Sequence, residues 1–146
     1  MDEWRSLGKP EALLCGNQYL ASDRGERQEG FVVTGIDDAP WAFEGTGLEL
    51  GDEFGRYGIE IDARTWSSPP GTQVLARIPD LFGPGKSAKM TYYEHRSGAR
   101  VFSAGVLNFG GQMLLWPEAT RIAENVWTRL GGSPPAASSG DGHARG

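Results

Sequence analysis

Apolar side chains recur at three- and four-residue steps in one stretch, through Ala119, Ile122, Ala123, Val126 and Leu130. That spacing gives a helix one apolar face. Pro117 suits its first turn, where a missing N–H costs nothing. Glu118 near the start and Arg129 near the end match the helix dipole, and Gly131-Gly132 closes it. Elsewhere the pattern is that of strands. Tyr92-Tyr93 and Val101-Phe102 are strong strand formers on either side of Ser97-Gly98, a turn signal. They predict an antiparallel hairpin of Lys89–Tyr93 and Arg100–Val106, with Val101, Phe102 and Val106 buried against Ile122, Val126 and Leu130 of the terminal helix. Thr72–Ile78, closed by Pro79, and Phe31–Thr34 are further strands. Gly58–Asp62 alternates Ile59 and Ile61 with Glu60 and Asp62, the pattern of a half-buried strand with both isoleucines on the core face. Five glycines from Gly45 to Gly58 interrupt that stretch too often for a helix, and Pro10–Leu14 opens a short helix, with Trp4 and Leu7 as apolar anchors.

The chain has 146 residues, the size of one domain, expected over 1–130. Residues 131–146 offer no apolar side chain larger than proline to bury, so a disordered tail is expected there. Twenty-two glycines and nine prolines make the chain rich in turns, while five Trp, six Phe and four Tyr suffice for a core. A net charge of -5 argues against a general nucleic-acid binder. No run approaches the roughly 20 apolar residues of a membrane helix. The acidic start, Met1-Asp2-Glu3-Trp4, is unlike a signal peptide. One cysteine, Cys15, excludes an internal disulfide and fits a reducing, cytoplasmic setting. With only two histidines beside it, a four-ligand cysteine or cysteine–histidine zinc site is excluded too.

The available chemistry is therefore that of carboxylates, tyrosines and backbone groups. Glu60 and Asp62 stand two apart on a predicted strand and share a face. Paired carboxylates on one face bind a cation or divide acid and base roles between them. The plainer reading is a solvated face, or pairing with Arg56 or Arg64. Gly45, Thr46 and Gly47, followed by Gly51 and Asp52, suggest a binding loop folded over those carboxylates. A phosphate loop would need a lysine after its glycines, and Glu49 and Asp52 bring negative charge instead. Cys15 is expected to be buried as packing, and His95 to be an exposed turn residue. Tyr92 and Tyr93, being adjacent, face opposite ways. No metal ligand set is identified.

Several segments in order carry a resemblance. They are Leu7-Gly8 with Pro10-Glu11, Leu14-x-Gly16-x-Gln18-Tyr19, Phe43-x-Gly45-Thr46-Gly47-Leu48-x-x-Gly51-Asp52 and Gly58-Ile59-Glu60-Ile61-Asp62. Met90-Thr91-Tyr92-Tyr93-Glu94, Gly98-Ala99-Arg100-Val101-Phe102-Ser103-Ala104-Gly105 and Asn125-Val126-Trp127-x-x-Leu130 follow. Together they resemble the C-terminal region of the large (beta) subunit of N,N-dimethylformamidase and its relatives, over about Leu7 to Leu130. The resemblance implies a mixed, β-rich α/β chain forming the C-terminal portion of a glutamine-amidotransferase-like sandwich. It also implies a C–N hydrolase of small amides, and iron held by tyrosine and glutamate oxygens that lie ahead of the matched region. On this reading the chain is a fragment or subunit that contributes a carboxylate, completed by an upstream-encoded partner or by self-association. The competing expectation is a non-catalytic domain whose exposed Trp and Tyr residues meet a partner chain or a carbohydrate.

Overall fold

The structure, a computed structural model, describes residues 6–131. The predicted tail falls outside the described residues except for Gly131, as does the Trp4 anchor. In chain order the elements are α1 Ala12–Cys15, β1 Gln18–Ser22, β2 Gln28–Val33, α2 Pro40–Phe43, β3 Glu53–Gly58 and β4 Glu60–Ala63. Then come β5 Gln73–Ile78, β6 Ala88–Glu94, β7 Arg100–Ser103, α3 Phe109–Gln112 and α4 Pro117–Arg129. The fold is mixed and β-rich, with seven strands in two sheets and a C-terminal helix. Five strands order as β3-β2-β5-β6-β7 and two as β1-β4. Every ladder among the described residues is antiparallel.

The hairpin of β6 and β7 forms as its residues predict, with Tyr92 opposite Phe102 and Tyr93 opposite Val101. Its second strand is shorter than predicted, ending at Ser103. Gly105 has φ +75°, a left-handed conformation that diverts the chain, and Val106 then bridges to Ile61 of β4. Phe102 is only half-buried, against Phe109 at 6.2 Å. The aromatic core lies instead around Phe31, fully buried, whose ring meets Tyr57 at 5.1 Å and Phe54 at 5.9 Å.

Helix α4 runs as predicted, burying Ala119, Ile122 and Val126. It packs on α2 and β3. Asn125 of α4 donates to the carbonyls of Ala42 and Glu44 at 3.1 and 2.8 Å, fastening the end of α2. Leu130 is 43% exposed rather than buried, because it caps the helix beyond its last packed turn.

Two strands had no sequence signal. β1 and β3 occupy the segments around Leu20 and Gly55, and β3 incorporates Gly55, whose sequence signal argued only against a helix. The run Gly58–Asp62 is also not one strand. Ile59 has φ +68°, a left-handed conformation that a β-branched residue adopts only under strain. The chain turns there from the large sheet into the small one. Ile61 is buried as expected, but its core-facing companion on β4 is Ala63, and Ile59 is half-buried at the turn.

Candidate functional site

β4 is held on both sides. On one side it pairs with β1, Asp62 opposite Tyr19 and Glu60 opposite Ser22. On the other, Asp62 N–H donates to the Gly105 carbonyl at 2.9 Å and Leu107 N–H to the Glu60 carbonyl at 3.1 Å. Ile61 and Ala63 anchor the strand in the core, so Glu60 and Asp62 share the opposite, half-buried face. Directly paired residues in an antiparallel ladder lie on one face, which adds Tyr19 and Ser22. Three positions apart, these two would normally face opposite ways. The bulge between Tyr19 and Ala21 restores them to the same side, and their hydroxyls lie 3.4 Å apart. The outcome is a surface with two carboxylates and two hydroxyls, reached directly after the strained Ile59. Tyr19 and Ser22 carried no signal in the sequence, since only the register of β1 reveals them.

The glycine loop is fastened by its own polar groups. Thr46 Oγ1 donates to the Phe43 carbonyl at 2.7 Å and accepts from Leu48 N–H at 3.1 Å. Asp52 Oδ2 accepts from Glu49 N–H at 2.8 Å. Gly51 N–H and the Asp52 carbonyl bond to Val33, and Gly45 lies beside Arg121 of α4. The hydrogen bonds of Thr46, Gly51 and Asp52 thus run within the loop or to α2 and β2. Gly45 lies beside α4, Thr46 against the end of α2 and Asp52 against β2, while Glu60 and Asp62 lie on the small sheet.

A second polar cluster forms where α4 ends against the hairpin. Tyr92 donates to Glu94 Oε1 at 2.6 Å, and Arg129 Nη2 donates to the same oxygen at 2.7 Å. Arg129 Nε lies 3.2 Å from the Tyr92 hydroxyl, and its guanidinium stacks over Trp41, 5.2 Å from the ring centroid. Arg100 approaches Glu94 at 3.5 Å and donates to the Arg129 carbonyl at 2.7 Å. The sequence offered one clue to this cluster, since Tyr92 and Glu94 are two apart on a strand and share a face. The hydrogen bond from Tyr92 is the main cause that lowers the Glu94 carboxyl below its ordinary value of 4.5, with Arg129 and Arg100 adding to it. A carboxylate whose folded pKa is depressed stabilises the fold above its ordinary value and loses that contribution as pH falls through the folded value. Wild type should therefore lose melting temperature below about pH 4.5 more steeply than Glu94→Gln, a difference that thermal scans across pH 3 to 6 (about four points) measure. Parallel curves would show that the cluster does not couple to folding.

Tyr93 points the other way, as its neighbour's orientation requires, and donates to the Leu14 carbonyl at 2.5 Å. Cys15 is exposed, not buried. Helix α1 buries only Ala12 and leaves the cysteine on its outer side. His95 is exposed in the hairpin turn as predicted, its Nδ1 2.8 Å from Ser97 Oγ.

No three of His, Cys, Asp and Glu come together to hold a metal ion among the described residues. The tyrosine–glutamate hydrogen bond from Tyr92 to Glu94 already holds the cation of Arg129. Tyr57 is buried with its hydroxyl unpartnered, and burial, reinforced by Glu118, raises its pKa, which disfavours a phenolate ligand.

No helix among the described residues is long and apolar enough to cross a membrane. Residues 1–121 match the family described as N,N-dimethylformamidase beta subunit-like, C-terminal. No curated protein matches the chain.

Proposed function

We propose, for a chain that belongs to the N,N-dimethylformamidase beta subunit-like C-terminal family, that it is a portion or subunit of an amidase-like hydrolase of small-amide C–N bonds. The family takes its description from one subunit of a hydrolase assembly, so a multi-chain setting is the frame for this reading. The observation that carries it is the common face of Glu60, Asp62, Tyr19 and Ser22. The strain at Ile59, next to Glu60, supports it further, because such strain concentrates where a backbone must hold a functional group in place.

Hydrolysis adds water across the amide bond and releases a carboxylic acid and an amine. On this face one carboxylate takes a proton from the attacking water, and the other, when protonated, gives one to the departing nitrogen. Strand spacing puts their Cα atoms about 7 Å apart, room for a small substrate between the side chains. The Tyr19 and Ser22 hydroxyls are the donors this face offers a developing oxyanion. The wall against water falls to another chain or another copy. If the portion belongs to a glutamine-amidotransferase-like sandwich, its parallel strands come from elsewhere too, since the pairings described here are antiparallel.

The test is release of dimethylamine from N,N-dimethylformamide by the full chain recovered with the polypeptides that co-purify with it. Hydrolysis by the assembly, with little by the chain alone, is the expected result. An assembly that binds the chain but hydrolyses no small amide would favour the non-catalytic reading, for which the exposed aromatic residues speak.

A further inference from the structure

On the large sheet, a groove of about 700 Å³ is lined by Arg64, Arg77 and Lys89, with Thr34, Gln73 and Asp38 among its other walls. Arg77 and Lys89 are direct register partners on β5 and β6. Like charges placed opposite each other across a ladder destabilise it. Within the described residues none of the three cations has an ion pair or side-chain hydrogen bond. With Asp38 as the one carboxylate among the lining residues, the groove keeps an excess of positive charge in a chain of net charge -5. Lys89 is not free to leave, because its carbonyl accepts from Asn17 Nδ2 at 2.6 Å.

The loop that borders the groove adds a second observation. It leaves β4 at Arg64 and returns at Gly71 and Thr72, so both of its ends line the groove. Between them Trp66 is 96% exposed. Nothing in the fold uses its ring, whereas tryptophan and arginine are the side chains most enriched where protein partners bind. The loop itself is ordered by bonds from Thr65 N–H to Ser68 Oγ at 2.9 Å and from Ser68 Oγ to the Gly16 carbonyl at 2.7 Å.

We infer that this groove and Trp66 dock an extended acidic segment of another polypeptide, its carboxylates meeting Arg64, Arg77 and Lys89 and an apolar side chain packing on Trp66. An anionic small molecule would account for the cations but not for the bare tryptophan. A nucleic acid would meet a molecule of the same overall sign beyond the groove. The inference stands whether or not the Glu60 face is catalytic, because its test reads binding alone.

The probe is a fluorescein-labelled octapeptide of alternating glutamate and leucine, titrated with the full chain and followed by anisotropy. Binding should weaken about tenfold with Arg77→Glu, and also with rising salt, as charge pairing across an interface requires. Arg77→Gln, a milder change at an exposed position, should weaken it less, and Trp66→Ala should weaken it without changing its salt dependence. Melting curves identify any variant that fails to fold, and the milder arginine variant then carries the comparison. The inference is overturned by no binding at low salt, or by equal affinity in the Arg77 variants. It is equally overturned if citrate displaces the peptide at matching concentrations, or if a thymidine oligonucleotide binds as tightly.

Discussion

Gly105→Ala should be the most destabilising single change of those that remove no side-chain contact, costing about 2–5 kcal/mol and lowering the melting temperature by about 10 °C. Two costs combine. The backbone at Gly105 has φ +75°, where a side chain is strained by about 1–2 kcal/mol. A Cβ there would also lie 2.1 Å from the Lys89 carbonyl oxygen and 2.6 Å from its carbon, both backbone atoms of the β6 strand. Neither can swing aside as a flexible side chain would, so the segment must move as a whole. That segment is the one that joins the two sheets, through the Asp62 N–H bond to Gly105 and the Ile61–Val106 bridge. The loss should therefore reach β4 selectively, with faster amide exchange at Asp62 and Leu107 than in β5. A melting temperature within about 2 °C of wild type would mean that the close approach to Lys89 is misplaced.

The same residue shows where sequence reading loses its grip. The terminal helix was legible because its apolar spacing and its terminal residues agree, and the β6–β7 hairpin because two aromatic pairs flank a turn signal. Gly105 looked like one more small residue in a continuous strand, since nothing local says that β6 will pass within contact of it. Gly55 was opaque for a related reason. Gly55 takes φ +72° inside β3 with the Tyr57 ring where its Cβ would be, so a glycine that argued only against a helix is a strand residue making room for the core. Leu130 extended the helical pattern by one turn more than the packing uses.

The candidate site divides in the same way. Glu60 and Asp62 were legible because alternation is local and survives the turn at Ile59. Tyr19 and Ser22 were not, because they reach that face through a pairing between segments about 40 residues apart, with a bulge that changes which side chains face it. The Glu94–Arg129 cluster likewise depends on where the end of α4 lands on the hairpin.

Replacing Glu60 by glutamine should reduce small-amide hydrolysis by the assembled protein about 10²–10⁴-fold, the usual contribution of a positioned acid or base. Glutamine keeps the volume and shape of the side chain but cannot take up the proton of an attacking water. Within the described residues the Glu60 side chain makes no ion pair or hydrogen bond, so stability has little to lose. Ser22→Ala, on the neighbouring strand of the same face, should have a smaller effect on rate, because a hydroxyl at that place orients without carrying the proton.

Measuring amide hydrolysis and thermal unfolding on the same preparation of Glu60→Gln, in the native assembly, is the most direct test of the carboxylate face. The account predicts a loss of at least about a hundredfold in rate with a melting temperature within about 2 °C of wild type. Wild-type hydrolysis by the variant, or a rate that falls only in step with the folded fraction, would contradict it.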